Sequence, residues 1–216
     1  MAETLIVFAS RQEFRFFFKN ISAVVASSTP AKITSSIDAA VAGVGLVEFS
    51  ANFARFLSQK KYERVFLLGI CGAYPDSGFQ VGDVVRVDTE VVADMGTQSK
   101  EGHFIPWGTL VSKESIYRGA SFHELPLCLL DAPGVAGGTV NCCTGTRYLG
   151  TRRETLFQIQ VESMEGAAFF AVCKAFGVSG YQFRAVSNIA TDRDESSWDI
   201  PKALAALKQF VLDQLF

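Results

Sequence analysis

The chain has 216 residues, enough for one sizeable core, and we read residues 1–216 as a single domain. Hydrophobic residues make up 49% and charged residues 19%, which excludes a disordered chain. A net charge of only −2 argues against a polyanion partner, so no nucleic-acid binding is expected.

The apolar start, Met1 to Ala9, carries Glu3 and no basic leader. It reads as a buried strand over Thr4–Ala9 rather than a signal peptide, followed by a helix from about Arg11 to Lys19. No apolar run reaches the ~18 residues of a membrane helix, so no membrane partner is expected. Residues 27–36, rich in Ser and Thr, read as a loop or edge region. Leu46, Phe49, Phe53, Phe56 and Leu57 recur at helical spacing after Gly43-Val44-Gly45. The continuous run Val65-Phe66-Leu67-Leu68, ending at Gly69, predicts a strand covered on both faces. Gly82–Val92 predicts another. Residues 96–126 lack periodicity and read as mostly loop, with a short helix after Ser112.

Val135–Cys143 predicts a strand leading into Thr144-Gly145-Thr146. A helix over Glu165–Phe176 is stopped by Gly177, and Tyr181–Ser187 forms a strand. Asp199 caps the last helix, with Pro201 in its first turn and Leu204, Leu207, Phe210, Val211 and Leu215 on one face. Alternating strands and helices point to a three-layer α/β domain. The five cysteines, Cys71, Cys128, Cys142, Cys143 and Cys173, form no C-x-x-C pair and read as reduced thiols. With only His103 and His123 as histidines, no metal site is expected.

Four segments carry polar residues where strands should end. In Ala9-Ser10-Arg11-Gln12-Glu13, the carboxylate of Glu13 is either a helix-start acid favoured by the dipole or a group that activates water. Leu68-Gly69-Ile70-Cys71-Gly72-Ala73 is either a tight turn or a place where backbone approaches a ligand. It is no phosphate loop, since neither G-x-G-x-x-G nor G-K-[ST] is present. Val161-Glu162-Ser163-Met164-Glu165-Gly166-Ala167-Ala168 puts two carboxylates at a helix start, followed by small residues suited to close packing against a ligand or strand. Phe183-Arg184-Ala185-Val186-Ser187-Asn188 ends in an amide at the sheet's carboxyl edge. Asp192 to Glu195 beyond it read as a solvated charged loop.

Together these segments resemble the nucleoside phosphorylase and nucleosidase superfamily, over nearly the whole chain and in order. Met164-Glu165-Gly166-Ala167-Ala168 resembles its ribose-binding signature, and Arg184–Asn188 its base-binding strand. Glu13 falls at the position of the water-activating glutamate. Within the superfamily, Gly69–Pro75, Gly82-Asp83-Val84-Val85, Ser187-Asn188 and Trp198–Leu204 are similar to the futalosine hydrolases. The resemblance implies a three-layer αβα fold with a central mixed β-sheet. It also implies hydrolysis of an N-ribosyl bond in a nucleoside by water, without a cofactor, in a cytoplasmic homo-oligomer. Glu13 would deprotonate the water and Glu165 would accept hydrogen bonds from ribose hydroxyls. Arg184 would hold the carboxylates, and Met164, Ile70, Gly72 and Tyr148 would line the substrate. Asn188 stands where adenine-specific nucleosidases have aspartate. An amide can donate to a 6-oxopurine, which a bare carboxylate cannot, so hypoxanthine is the expected leaving base. Candidates for the rest of the substrate are Phe14, Phe104, Trp107 and Arg11.

Three alternatives stand beside this reading. A methylthioadenosine or aminodeoxyfutalosine nucleosidase is opposed by Asn188. A purine nucleoside phosphorylase would need an anion site, for which Arg11 could serve, although Glu13 would repel phosphate. A catalytically silent nucleoside-binding protein would be expected to have lost Glu13 or Glu165.

Overall fold

A computed structural model describes residues 3–19, 29–107, 116–120, 129 and 131–215, the side chains of 212–215 excepted. The helix expected after Ser112, together with His123 and Cys128, lies outside the described residues.

The buried apolar run at the start forms β1 (Thr4–Phe8), and Ser10 then caps α1 (Arg11–Phe17). Two short strands follow, β2 (Ala31–Lys32) and β3 (Ile37–Val41). The sequence pattern does not announce β3, because Asp38 interrupts its apolar residues. The structure satisfies that carboxylate with the Tyr62 hydroxyl and Lys60 Nζ, each at 2.8 Å. Helix α2 (Leu46–Gln59) buries Phe49, Phe53, Phe56 and Leu57, the face expected from their spacing.

Strand β4 (Arg64–Ala73) does not stop at Gly69; the glycine-bearing segment continues as strand, which removes the tight-turn alternative. After β5 (Val84–Val92), the region expected to be loop holds a hairpin, β6 (Gly96–Gln98) with β7 (Phe104–Pro106), and then β8 (Ile116–Arg118). Strand β9 (Gly134–Thr139) ends four residues before the expected Cys143. Helix α3 (Arg147–Phe157) was not expected, since it is polar and buries only Gly150 and Arg153. Strand β10 (Val161–Ser163) precedes α4 (Gly166–Phe176), so Glu162 is a strand residue and not a first-turn acid. Gly177 ends α4 at φ 66°, as expected of a C-terminal glycine. Strand β11 (Ser179–Ile189) leads to α5 (Ile200–Leu215), where Lys202 N donates to Asp199 Oδ1 at 2.9 Å.

The main sheet is mixed, in the order β10-β9-β5-β11-β4-β1-β3-β2, with β8 on β5. Strand β4 pairs parallel with β1 and β11, whereas β11 runs antiparallel to β5. At its far end β4 also pairs with β10, through Val161 with Ala73 and Glu162 with Gly72. Strands β4, β11, β5, β9 and β10 therefore close a five-strand ring, while β1, β3 and β2 extend from it as an open sheet. One face packs Phe8, Phe66 and Phe183 against Phe14 and Phe17 of α1 and Leu204, Leu207 and Val211 of α5. The other packs Leu5, Val65 and Leu67 against α2 and Phe169, Phe170 and Cys173 of α4. These are the three expected layers.

Candidate active site

Where the carboxyl ends of β1, β4 and β11 meet the heads of α1 and α4 lies a cavity of about 230 Å³. Glu13, Ile70, Gly72, Met164, Glu165, Arg184 and Asn188 all line it. Of the residues expected to meet the water, ribose or base, Tyr148 alone is absent from its wall. Tyr148 stands on the outer side of α3, 73% exposed, where its hydroxyl accepts from Arg152 Nη1.

Glu13 stands in the first turn of α1 and also lines the cavity. Its Oε2 accepts from Ser10 N at 2.9 Å and Ser10 Oγ at 2.8 Å, and Glu13 N donates back to Ser10 Oγ, a complete capping box. Its Oε1 accepts from Ile70 N at 3.1 Å. A carboxylate has about four acceptor sites, so one remains for a water in the cavity. Burial raises the Glu13 pKa, and the nearby Arg184 charge and the Ser10 hydrogen bonds oppose that rise. Gly69 makes this closeness possible. A Cβ there would sit 2.6 Å from Glu13 Oε1 and 2.8 Å from Arg184 Nη1.

Arg184 is almost wholly buried, at 1% exposure. Its Nη2 donates to Glu165 Oε2 at 3.3 Å and Gln182 Oε1 at 3.2 Å, and its Nη1 to the Ile70 carbonyl at 3.2 Å. Ile70 therefore serves through its backbone, which reaches Glu13 with the N–H and Arg184 with the carbonyl. Glu165 sits at the head of α4, but its side chain reaches away from the helix to accept from Gly45 N at 3.1 Å.

Asn188 follows an irregularity in the β4–β11 register. Val186 pairs with Cys71 and Asn188 with Gly72, leaving Ser187 as the extra residue. A bulge of this kind re-aims a side chain. The Ser187 hydroxyl lies 2.9 Å from Asn188 Oδ1 and 3.2 Å from the Cys71 carbonyl. Asn188 Nδ2 makes one long bond to the Ile189 carbonyl, at 3.4 Å, and the residue lines the cavity. A Cβ on Gly72 would crowd this Nδ2 at 3.2 Å.

The fold and these residues place the chain by comparison with known proteins. A family model described as the phosphorylase superfamily matches residues 6–215. The chain belongs to the phosphorylase superfamily. Two similar relatives of this superfamily chain are futalosine hydrolases. That of Thermus thermophilus is 33% identical over 184 residues, covering 78% of this chain and 76% of the relative. That of Acidothermus cellulolyticus is 34% identical over 182 residues, covering 81% and 73%. Among solved structures, a methylthioadenosine/S-adenosylhomocysteine nucleosidase from Neisseria meningitidis in complex with methylthio-immucillin-A superposes with a TM-score of 0.80. It is 18% identical and covers 98% of this chain and 97% of its own. A futalosine hydrolase mutant of Helicobacter pylori superposes at 0.78 and 15% identity, covering 98% and 97%. These two structures share the superfamily fold.

Several wall residues stand in segments noted from sequence but were given no role in the site there. Thr144, Glu162 and Ser163 form part of the wall, as do Trp198 and Ile200 at the approach to α5. Glu162 organises its side of the cavity. It accepts from Thr144 N at 2.8 Å, Thr144 Oγ1 at 2.6 Å and the Tyr74 hydroxyl at 2.9 Å, and it pairs with Arg153 at 3.5 Å. Trp198 was visible only as part of a motif; the Arg193 guanidinium lies 4.9 Å from its ring centre. None of the four candidates for the remainder of the substrate lines the cavity. Phe14 is buried in the core against Phe8, Phe104 packs near Phe157, Trp107 is 44% exposed, and Arg11 points to solvent. Among the described residues no group of three or more His, Cys, Asp or Glu side chains could hold a metal ion, and no helix is long and apolar enough to cross a membrane. Cys71, Cys142, Cys143 and Cys173 are free.

Proposed function

We propose that this protein is a futalosine hydrolase, which uses water to cleave futalosine into dehypoxanthine futalosine and hypoxanthine, a step of menaquinone biosynthesis. The charge balance of the cavity carries the reading. Glu13, Glu162 and Glu165 line it, and Arg184 is the one cation among its described wall residues. Arg184 is already committed to Glu165, Gln182 and the Ile70 carbonyl. An incoming phosphate would meet carboxylates and no free cation, whereas a sugar gaining positive charge would be stabilised. That favours a hydrolase over a phosphorylase.

In this mechanism the C1′–N bond breaks first. Its electron pair passes to the purine, and the ribose becomes oxocarbenium-like, as in other glycosidic cleavages. Glu165 binds ribose hydroxyls, and its ionised form favours the cationic sugar. Glu13 accepts a proton from water as the water oxygen bonds to C1′ and returns it to solvent, while the departing purine anion takes up one proton from solvent to give hypoxanthine. A base raised by burial is closer to the pH at which general-base catalysis is most effective. Asn188 Nδ2 donates to the 6-oxopurine as negative charge develops there. Met164, Ile70 and Gly72 give the substrate its walls. Tyr148 has no part in this single-chain cavity. The protein is taken to act in the cytoplasm as a homo-oligomer.

The test is incubation in phosphate-free buffer with futalosine, aminodeoxyfutalosine, methylthioadenosine and inosine in separate reactions, followed by identification of the free base. Hypoxanthine from futalosine is expected. Cleavage only on addition of phosphate would make the protein a phosphorylase, and preferential release of adenine would make it an aminopurine nucleosidase. Binding of inosine without cleavage of any of the four would make it a nucleoside-binding protein.

A further inference from the structure

Behind the cavity wall, another buried carboxylate is joined to Arg184 by hydrogen bonds. Glu90 of β5 is 1% exposed and does not line the cavity. Its Oε1 accepts from Gln182 Nε2 at 2.7 Å, and its Oε2 from Thr139 Oγ1 at 2.9 Å. Gln182 turns its other end, Oε1, to Arg184 Nη2. Thr139 Oγ1 in turn accepts from Ala167 N, in the first turn of the helix headed by Glu165. Glu90 thus reaches Arg184 through Gln182 and, through Thr139, the first turn of the helix that Glu165 heads. The backbone is cut to fit it: a Cβ on Gly166 would clash with Glu90 Oε1, and one on Gly137 would sit 2.6 Å from it.

We propose that Glu90 is a positioning residue which, through Gln182, sets the Arg184 guanidinium against Glu165 for cleavage of the N-ribosyl bond. The direction of the chain is what makes it act. With Glu90 ionised, both its oxygens are acceptors, so Gln182 must present its NH2 to Glu90 and its carbonyl to Arg184. A protonated Glu90 can donate to Gln182 instead. The amide then turns, and its N–H groups face the N–H groups of Arg184, which is repulsive. Burial pushes Glu90 up to about 7, with Gln182, Arg184 and Thr139 opposing that rise, so both states are accessible near neutral pH. The ionisable groups around it are Arg184 on β11, Glu165 at the head of α4, Cys71 on β4 and Tyr117, its register partner on β8.

The reaction-based part of the test rests on the proposed hydrolase function; a second measurement does not. With futalosine, Glu90→Gln and Gln182→Leu should each lower kcat on the order of 10–100-fold, the scale of losing an outer support, with a smaller change in KM. In Glu90→Gln, the acid limb of the pH profile should lose one ionisation. A merely structural role would lower the profile without altering its shape. Independently of turnover, the Arg184 Nε–H is buried without a partner and gives a nitrogen-15 NMR signal assignable by its loss in Arg184→Lys. In a Glu13→Gln background that signal should titrate near pH 7; the titration should vanish on adding Glu90→Gln, and Gln182→Leu should reduce its amplitude to the part that the Glu90 charge causes through space. A signal that does not titrate, or that titrates with undiminished amplitude in Gln182→Leu, overturns the proposal. Failure of wild-type protein to cleave any nucleoside would overturn the functional reading while leaving the NMR result decisive for Glu90.

Discussion

Glu13→Gln separates chemistry from stability. The amide keeps the size of the side chain, and its single oxygen can still accept from Ser10 N and Ser10 Oγ, the two bonds of 2.9 and 2.8 Å that complete the helix cap. Its NH2 then faces Ile70 N–H, which donates to Glu13 Oε1 in the wild type. One buried donor loses its acceptor, at about 1–3 kcal/mol. In the other direction, the variant no longer buries a charge that desolvation disfavours. The two effects oppose each other, so at neutral pH the stability should change by less than about 2 kcal/mol. Activity has no such compensation. An amide cannot take the proton of water, and kcat should fall by about 10²–10⁴-fold. In the wild type the carboxylate must be ionised, and burial raises its pKa, so activity should be lost as pH falls through a value above the ordinary 4.5. The assay is chromatographic release of hypoxanthine from pH 4.5 to 9, with a thermal melt of each protein. A folded Glu13→Gln variant within tenfold of wild-type kcat would refute the role of Glu13 as base.

Other consequences are open to direct measurement. Asn188→Asp should lower kcat/KM for futalosine and raise it for the corresponding aminopurine nucleoside, since the carboxylate loses a donor to the 6-oxo group and gains an acceptor for an amino group; loss on both substrates without any gain would sink the selectivity argument. Gly166→Ala should destabilise the fold by about 1–3 kcal/mol by overpacking, because the new methyl meets Glu90 Oε1, and a denaturation midpoint equal to wild type would contradict it. Glu90 should also leave a signature in stability against pH. An acid whose pKa is raised by folding favours the folded state when protonated, and that advantage is lost as pH rises from the unfolded value, 4.5, to about 7. At ~1.36 kcal/mol per pH unit, the rise from 4.5 to about 7 amounts to about 3 kcal/mol. Chemical denaturation across this window should show wild type losing that much relative to Glu90→Gln, and parallel curves would exclude a raised Glu90.

What could be read from sequence follows from how local each signal is. Strands β1, β4 and β11 are buried on both faces, so their apolar runs declare them, and α2 shows its buried face by spacing. Helix α3 has no such face: of eleven residues it buries Gly150 and Arg153, and the arginine is there to meet Glu162. Strand β10 is three residues long, too short for any periodicity. Glu13, Glu165, Arg184 and Asn188 could be picked out because each lies in a distinctive short motif, and the structure brings all four to one cavity. Tyr148 was carried by motif position alone, and the outward face of α3 took it elsewhere. Glu90 and Gln182 were not legible. Each is one of several polar residues in its strand, beside Arg86, Asp88 and Thr89 in β5 and Arg184, Ser187 and Asn188 in β11; their pairing spans 92 positions and only the β5–β11 neighbourhood reveals it.

The ring closed by β4 and β10 also affects how the protein becomes active during folding. The bonds that shape the cavity join residues 57, 114 and 120 positions apart: Glu13 with Ile70, Ile70 with Arg184, and Gly45 with Glu165. Contacts of such sequence separation form late and slowly, because long loops must close before any of them is made. A nascent chain lacking β10 and β11 can pair β1 with β3 and β4, yet it holds neither Glu165 nor Arg184. Recovery of turnover should therefore lag behind recovery of secondary structure when the denatured protein is refolded, which makes activity a reporter of the final docking step.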